Sequence, residues 1–458
     1  MGQTRTEKDS LGSMQVPDTA LYAAQTARAL INFPISGRPL PAALLNALVL
    51  IKQQAALTNA ELEQLDPPRA EAIAAAAAEV LDGQHAEQFP LDIYQTGSGT
   101  SSNMNVNEVL ARRASQLLGL ENDRPLHPND EVNLGQSSND VFPSAIHIAC
   151  ARQLQELLLP AIQQCEELLR RKSTEFSEVM KIGRTHLQDA TPVTFGQIFG
   201  GYARQVQLAQ ERLSAGSSAL YELALGGTAV GTGLNTHPEF APRTIARIAR
   251  LTRLPFREAA NHFEAQSARD ALVAVSGSLK ACAVGLSKIA NDIRLLASGP
   301  RCGIGELILP AVQPGSSIMP GKVNPVMSES LIQVCARVIG NDACITLGGL
   351  GGYFELNTMM PLMAASMLES IELLGRALTL FSERCLAGLQ VNRQRCEELL
   401  EQSLALVTAL VPAIGYDRAA ELAKQAHAAG KTIRELLLTE KLLPAEELER
   451  LLDPRQMV

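Results

Sequence analysis

Four segments of the chain combine side chains that could bind a small, multiply charged anion and exchange protons with it. Each is rich in serine, threonine, asparagine and glycine, although apolar helix-forming sequence flanks it. They are TGSGTSSNMN at 96–105, GQSSND at 135–140, GRTHLQDATP at 183–192 and GSSIMPGKVNP at 315–325. One such segment alone could be a helix cap, because serine, threonine, asparagine and aspartate are good N-cap residues. Four of them together favour an anion site.

The candidates for proton and charge transfer are few. Histidine is the side chain that most often exchanges protons in catalysis, so His186 suits transfer to or from water. Lys322 and Asn324, two residues apart, could stabilise negative charge that develops on a carboxylate. Taken alone, His186 would more often be a hydrogen-bonded buried ring, and Glu329 an exposed residue on the helix after Pro325. The residues by themselves leave both alternatives open.

Nucleotide-binding motifs do not fit. The glycines of GGTAVGTG at 226–233 lack the GxGxxG spacing, and no predicted strand precedes them. Five residues separate Gly315 from Gly321, and Val323 follows the lysine, whereas a P-loop needs four residues and then serine or threonine. The sequence therefore predicts neither a dinucleotide fold nor a P-loop.

Composition narrows the class of protein. The 458 residues include 40 Lys plus Arg against 48 Asp plus Glu, for a net charge of −8, and no basic run occurs. Nucleic acid and anionic membrane are therefore not expected as partners. The N-terminus MGQTRTEKDS lacks the apolar core of a signal peptide, and charge interrupts the apolar stretches well before roughly 18 residues. We expect a cytoplasmic protein without membrane spans.

Cysteine and histidine spacing predicts no metal site. The eight cysteines form no CxxC pair, and the seven histidines include no HxxxH. An even cysteine count is no disulfide framework in a chain of this length. We expect neither a structural metal nor an iron–sulfur cluster.

The predicted scaffold is helical. Apolar residues make up 46% of the chain but aromatics only 4%, which favours helices packed closely on small side chains. Short helices are expected before residue 120 and after Val391, and ENDRPLHPND at 121–130 marks a boundary. Between the long helices, no segment alternates like a strand. The loop at 299–325 is long enough to be functional. Apolar periodicity predicts five long helices, from about 144 and over 197–223, 266–298, 327–347 and 360–388.

The motifs resemble those of a known family. TGSGTSSNMNVNE, HPNDEVN, QSSND, GRTHLQDATP, GGTAVGTGLNTHPE and GSSIMPGKVNP are similar to the class II fumarase branch of the fumarase/aspartase superfamily, from residues 4–12 through 414–417. The resemblance implies an all-α fold with an N-terminal domain at 1–135, a central bundle at 136–390 that carries a tetramer core, and a C-terminal domain at 391–458. It also implies a homotetramer whose sites draw on three subunits, no metal or organic cofactor, and reversible hydration of fumarate to L-malate.

The resemblance also assigns residues to roles. It implies a base at carbon from Ser316 and proton exchange with water from His186, whose imidazole Glu329 orients. A second anion site outside the main cavity is implied at Arg124, His127, Pro128, Asn129 and Asp130, although HPND is also turn chemistry in any fold. The implied substrate-binding residues are Ser98, Gly99, Thr100, Ser137, Ser138, Asn139, Thr185, Ser317, Lys322, Val323 and Asn324.

Two other functions are weighed against the hydratase. Aspartases, which add ammonia, resemble this chain but usually have Thr, Gln and Ala where Ser138, His186 and Gly321 stand. Leu134 departs from the basic residue common in fumarases, and Val326 is closer to the aspartase pattern. A non-catalytic scaffold is the third hypothesis, since folds are reused without chemistry; the intact set of Ser316, Lys322, Asn324 and His186 argues against it.

Overall fold

The computed structural model describes residues 3–120, 124–440 and 444–458. The first two residues of MGQTRTEKDS and the first three of the predicted boundary segment 121–130 therefore lie outside the described residues. All four polar segments lie entirely within the described residues.

Helices dominate the described ranges, which confirms the all-α prediction. Three π-helical turns interrupt or precede them, at Pro128–Val132, Leu154–Leu158 and Ser382–Leu386. Short 3₁₀ turns lie at Ala86–Gln88, Ser218–Tyr221, Leu404–Leu410 and Pro454–Gln456. The α-helices are α1 Ala24–Asn32, α2 Ala42–Glu61, α3 Pro67–Leu81, α4 Thr100–Leu118, α5 Ser138–Gln153, α6 Leu159–Glu175, α7 Phe195–Ser217, α8 Phe240–Thr252, α9 His262–Ser267, α10 Asp270–Leu296, α11 Val326–Gly349, α12 Met360–Phe381, α13 Arg393–Gln402, α14 Val411–Ile414, α15 Tyr416–Ala429, α16 Ile433–Glu440 and α17 Ala445–Leu451.

The described strands form two-stranded sheets only. The pairs β1–β2, β3–β4, β8–β9 and β7–β10 are antiparallel, and β5–β6 is parallel. The strands are β1 Thr4–Asp9, β2 Gly12–Pro17, β3 Met180–Thr185, β4 Gln188–Thr194, β5 Glu222–Leu223, β6 Arg257–Glu258, β7 Leu307–Ile308, β8 Gly352–Tyr353, β9 Leu356–Asn357 and β10 Gln390–Val391.

Two expectations about elements were wrong. Strands β1 and β3 are each six residues long, although no strand was predicted. Strand β1, TRTEKD, carries polar side chains on both faces, so it lacks the apolar alternation that reveals a half-buried strand. Helices α2 and α4 are 20 and 19 residues long rather than short. Helix α2 is buried on most of its faces, which removes the one-sided apolar stripe of a surface helix.

Small side chains allow the helices to approach closely, as the composition suggested. Ala70, Ala76 and Ala77 of α3 are fully buried where α3 packs against α2. Leu48 and Ile51 of α2 are likewise fully buried. Alanine combines high helix propensity with little bulk, so this pair is stable without aromatic side chains.

The chain divides into two compact units. Unit one comprises Met1–Pro160, Glu211–Ala283 and Ala336–Gly375, and unit two comprises Ala161–Gln210, Val284–Cys335 and Arg376–Val458. Each boundary falls inside a long helix. The division into three domains at 135 and 390 stays a prediction.

Helices α10 and α11 are long and apolar enough to cross a membrane by length and composition alone. Their most apolar windows are 44% and 39% buried within the chain. Each 18-residue window holds at most two charges, so charge interrupts these helices less than the sequence analysis expected. Core helices of soluble proteins pass the same test, so two such helices are weak evidence for a membrane protein.

Candidate active site

His186 lies at the tip of a β-hairpin in unit two. Thr185 pairs with Gln188, which leaves His186 and Leu187 as a two-residue loop with φ of 56° and 62°. Positive φ at both positions defines a type I′ turn, the geometry that matches the twist of hairpin strands. Non-glycine residues pay a steric cost there, and strain of this kind often marks functional sites. The turn holds the exposed imidazole at the tip of the β3–β4 hairpin, which we call the arm.

A buried carboxylate, that of Glu306, pairs with cationic side chains of strand β3 in this hairpin. Glu306 is fully buried, and its Oε2 lies 3.4 Å from Nζ of Lys181 in strand β3. Burial lowers the pKa of Lys181, while the charge of Glu306 opposes that change. Neither residue was predicted, since Lys181 and Glu306 lie 125 positions apart and no local pattern links them.

The loop at 315–325 is closed by its own hydrogen bonds. The amide of Gly315 donates to the carbonyl of Lys322 at 2.7 Å, and Nδ2 of Asn324 donates to the carbonyl of Gly315 at 2.7 Å. A Cβ on Gly315 would lie 2.6 Å from the Lys322 carbonyl oxygen, so this close approach requires glycine. The predicted residues Ser317, Lys322 and Val323 are exposed on the same loop.

Ser316 has a distinctive environment within that loop. Its Oγ accepts hydrogen bonds from the backbone N–H groups of Ile318 at 3.2 Å and Met319 at 3.0 Å. Two amide donors on one hydroxyl oxygen stabilise negative charge on that oxygen, as in an oxyanion hole. These two donors would also favour an alkoxide at this oxygen.

Glu329 lies in the first turn of α11, where its amide donates to the carbonyl of Pro325 at 3.2 Å. Its side chain is half-buried, whereas His186 is exposed. Across the described ranges, no hydrogen bond or ion pair joins the two side chains. The predicted hydrogen bond between Glu329 and His186 is therefore not formed within one chain in the described ranges.

In unit one, three hydroxyl groups form a chain. Thr100 Oγ1 lies 2.7 Å from Ser98 Oγ and 2.7 Å from Ser138 Oγ. Gly99 between the first two has φ of 74°, and a Cβ there would lie 2.3 Å from the ring of Phe142. The structure therefore brings together the predicted residues of the first two polar segments.

The predicted residues Ser137, Ser138 and Asn139 lie at the N-terminus of α5. Ser137 is the N-cap, and its Oγ accepts from the Asn139 amide at 3.2 Å. Asp140 completes the capping box by accepting from the Ser137 amide at 2.9 Å. The sequence makes Asn139 or Asp140 a candidate N-cap; the N-cap is instead Ser137, and Asp140 takes part as the N3 residue of the capping box. Capping and anion binding are compatible, because a helix N-terminus presents N–H groups.

Asp140 also secures the glycine-rich segment at 226–233. Its second oxygen accepts from the amides of Gly226 at 2.9 Å and Thr228 at 3.1 Å. Nδ2 of Asn139 donates to the carbonyl of Ala229 at 2.9 Å. Burial raises the pKa of Asp140, and these amide donors oppose the rise. The segment at 226–233, which superficially resembles a nucleotide-binding loop, is therefore hydrogen-bonded to the first turn of α5.

The residues of the predicted second anion site lie at two cavities in unit one. His127, Pro128 and Asn129 line a cavity of about 800 Å³ together with the β1–β2 hairpin. Arg124 and Asp130 line another of about 530 Å³. Nδ1 of His127 accepts from the Asp130 amide at 3.1 Å, so the predicted turn chemistry is present as well.

Metal-ligating chemistry is sparse in the described ranges, which hold no group of three or more His, Cys, Asp or Glu side chains placed to bind a metal ion. All eight cysteines are free thiols, and six of them are buried. Burial raises the pKa of five of the buried thiols, those of Cys150, Cys165, Cys335, Cys385 and Cys396. Such thiols are inert rather than nucleophilic.

Comparison with known proteins agrees with this geometry. The family described as Lyase matches residues 12–340, and the family described as Fumarase C C-terminus matches residues 406–458. The chain is 54% identical to the class II fumarate hydratase of Nitrosomonas europaea, over 100% of this chain and 99% of that protein. It is 50% identical to the mitochondrial fumarate hydratase of Rattus norvegicus, over 99% of this chain and 90% of that protein.

A solved structure shows the same fold. The crystal structure of recombinant class II fumarase from Schistosoma mansoni superposes with a TM-score of 0.96 at 42% identity, covering 99% of both chains. Similarity of this extent includes every polar segment that the geometry singles out. The chain belongs to the class II fumarase family of lyases.

Proposed function

We propose that this enzyme catalyses the reversible hydration of fumarate to L-malate, with Ser316 as the base at carbon. The observation that carries the assignment of Ser316 as the base is the pair of backbone amides that donate to its Oγ. A serine hydroxyl is a weak base unless its alkoxide is stabilised. These amides, with the ammonium of Lys322 on the same loop, provide that stabilisation.

In the direction of dehydration, the Ser316 alkoxide takes a proton from the carbon beside one carboxylate of malate. The electron pair of the broken C–H bond moves into that carboxylate, which gains negative charge. Lys322 and Asn324 stabilise this charge, the contribution that is usually largest in enzymes. The C–O bond at the neighbouring carbon then breaks, and its electrons leave with hydroxide. The electron pair held in the carboxylate returns to form the double bond of fumarate.

The departing hydroxide takes a proton from the His186 imidazolium and leaves as water. Glu329 orients and stabilises that imidazolium. Afterwards Ser316 releases its proton to solvent and His186 regains one, so protons balance over the cycle. The remaining substrate-binding residues hold the two carboxylates through hydroxyl, amide and backbone N–H groups: Ser98, Gly99, Thr100, Ser137, Ser138, Asn139, Thr185, Ser317 and Val323.

The working form is a homotetramer in which each site draws residues from several subunits. Two features support this assembly. Within one chain, no hydrogen bond or ion pair joins the His186 and Glu329 side chains in the described ranges, so another copy can supply the missing partner. Helices α10 and α11 expose Val284, Ile339 and Leu347, at 55%, 39% and 64%. Apolar side chains exposed along such long helices favour helix packing between copies.

Charged side chains within these helices, such as Lys280 paired with Asp342 at 2.6 Å, suit that assembly better than a lipid environment. We place the enzyme in the cytoplasm. The homotetramer is tested by light scattering during size-exclusion chromatography, where a monomeric mass with full activity would contradict shared sites.

Arg124, His127, Pro128, Asn129 and Asp130 form a second anion site that binds dicarboxylates without taking part in catalysis. The support for binding there is that these residues line two cavities, each bordered by arginine side chains as well as by carboxylates. Arg124→Ala should leave turnover near that of the wild type. A collapse of turnover would place this region in the catalytic machinery instead.

Ultraviolet absorbance on adding L-malate to the purified, chelator-treated enzyme tests the reaction, because the conjugated double bond of fumarate absorbs and malate lacks it. We expect absorbance to rise with L-malate and to stay constant with L-aspartate. A rise with L-aspartate alone would make the chain an ammonia lyase and give Leu134 and Val326 decisive weight. Constant absorbance with both would refute the assignment.

A further inference from the structure

Lys52 is a fully buried cation beneath the N-terminus of α5, and the mechanism above does not use it. It lies in α2 and has no exposed surface. Its ammonium donates to Oδ1 of Asn133 at 2.8 Å and to Oε1 of Gln136 at 2.9 Å. Buried ammonium groups are rare and require hydrogen-bonding partners, so these two amide oxygens compensate for its lost hydration.

The same two amides shape the turn that leads into α5. Nδ2 of Asn133 donates to the carbonyl of Gln136 at 3.1 Å. Nε2 of Gln136 donates to the carbonyls of Val132 at 3.1 Å and Leu134 at 3.3 Å. Each amide therefore directs its oxygen at the ammonium and its nitrogen at the turn. If either amide flipped, its N–H₂ group would face the ammonium and the turn would lose its donors.

Helix α4 depends on the same acceptor. Nδ2 of Asn103 and Nδ2 of Asn107 donate to Oδ1 of Asn133, at 3.2 Å and 3.1 Å. Helix α4 begins at Thr100, whose hydroxyl contacts Ser138. Oδ1 of Asn133, which also accepts from Lys52, therefore links helix α4 to the turn that leads into α5.

Charge adds to this geometry. Asp140 is fully buried in the first turn of α5, one residue after Asn139. A buried carboxylate behind an anion site would repel a dicarboxylate substrate. Burial lowers the pKa of Lys52 to about 7, and the charge of Asp140 opposes that change. Burial raises the pKa of Asp140, and the charge of Lys52 is one of the influences that oppose the rise. The two opposite charges therefore favour each other, and the ammonium offsets part of this repulsion.

We propose that Lys52 is a positioning residue for substrate binding: its ammonium fixes the amides of Asn133 and Gln136, and through them the turn that presents Ser137, Ser138 and Asn139 to a substrate carboxylate. Lys52 itself does not touch the substrate. This inference rests on the proposed function, since it requires α5 to bind the substrate.

The test separates KM from kcat in Lys52→Met, which keeps the length of the side chain and removes its charge. Without the ammonium the turn that presents α5 is no longer held in place, so we expect KM for L-malate to rise roughly tenfold, which corresponds to about 1.4 kcal/mol of binding free energy. kcat per folded molecule should change less than about threefold, because binding rather than the chemical step is affected. KM does not depend on the fraction of enzyme that is folded, so a purely structural role would leave it unchanged.

Lys172→Met is the matched control. Lys172 is another buried lysine, and its ammonium donates to Glu175 at 2.9 Å and to the carbonyl of Leu389 at 2.8 Å in unit two. We expect it to lower the melting temperature and to keep the wild-type KM. Gln136→Met is the second test variant, since it leaves the ammonium in place, removes one of its acceptors and should also raise KM.

The outcomes distinguish the two proposals. A wild-type enzyme that does not convert L-malate refutes the proposed function. An active wild type together with an unchanged KM in Lys52→Met, or in Gln136→Met should Lys52→Met not fold, refutes the positioning role alone. An equal rise of KM in Lys172→Met would also refute it, because any buried lysine would then have the same effect.

Discussion

Arg184 donates two hydrogen bonds to Glu306, from Nη1 to Oε2 at 2.8 Å and from Nη2 to Oε1 at 3.1 Å. Glu306 is fully buried, and Arg184 lies two residues before His186. The backbone of Glu306 is fixed as well, because its carbonyl accepts from the Asn392 amide at 2.9 Å. A bidentate pair has directional as well as electrostatic strength. The arm that carries the imidazole is therefore secured at its base, although its tip is exposed.

Removing the charge of Glu306 should weaken this arm. Glu306→Gln leaves Arg184 and Lys181 without their buried counter-charge, and breaking a buried pair costs about 3–5 kcal/mol. Because Arg184 is partly exposed, we expect the lower end of that range. Thermal unfolding and kcat for L-malate should both fall, with the kcat of the folded fraction reduced roughly tenfold by a misplaced imidazole. Glu397→Gln, an exposed carboxylate on α13, is the control. Equal kcat values in the two variants would separate the anchor from catalysis.

His186→Asn tests proton transfer without disturbing the turn. Asparagine adopts positive φ more readily than most residues, so the hairpin should fold. If His186 exchanges the proton with water, kcat should fall by roughly 10² or more. The melting temperature should match that of His427→Asn, a change at an exposed histidine of α15. Turnover at the wild-type rate would remove His186 from the mechanism.

Sequence reasoning located the polar segments because each is a local pattern. Thr100 and Ser138 are 38 residues apart and lie in contact, as one site would require. The roles assigned to these residues remain proposals. The helical scaffold could likewise be predicted, since apolar periodicity is also local.

The supports of the site could not be predicted in this way. Glu306 lies 122 positions after Arg184, and such a pairing leaves no periodic signal. The β-turn at His186 and Leu187 also lacks the Asn-Gly or Asp-Gly sequence that usually identifies a type I′ hairpin. Lys52 could have been noticed as the one charge inside the apolar sequence of α2 before Glu61, but only the structure supplies Asn133 and Gln136 as its partners.

Stability at low pH should depend on Glu79. Arg113 donates to this carboxylate at 2.6 Å and 2.9 Å, and these hydrogen bonds, with a smaller contribution from His85, lower the pKa of Glu79 from 4.5 to about 2. The folded pKa lies below the unfolded value, so the stabilisation is present above about pH 4.5 and is lost as the pH falls toward 2. Melting temperatures of wild type and Glu79→Gln should differ at pH 6, differ less as the pH falls below 4.5, and converge near pH 2. Glu71→Gln, at an exposed position of α3, should show no such convergence. A constant difference for Glu79→Gln would contradict the assigned shift.

Leu187→Gly should separate the strain of the turn from the position of the imidazole. Leu187 has φ of 62° and is 82% exposed, so glycine relieves the left-handed cost of about 1–2 kcal/mol and loses little apolar burial. The greater freedom of glycine in the unfolded chain costs about 0.4–1 kcal/mol, which leaves a small net gain in stability. Leu234→Gly is the matched control, because Leu234 is 65% exposed without positive φ and only the entropic cost applies. We expect denaturant unfolding to show Leu187→Gly at or above wild-type stability and Leu234→Gly below it. The kcat of Leu187→Gly should nevertheless fall, since a looser turn holds His186 less firmly. Greater stability with unchanged kcat would show that the rigidity of this turn has no part in catalysis.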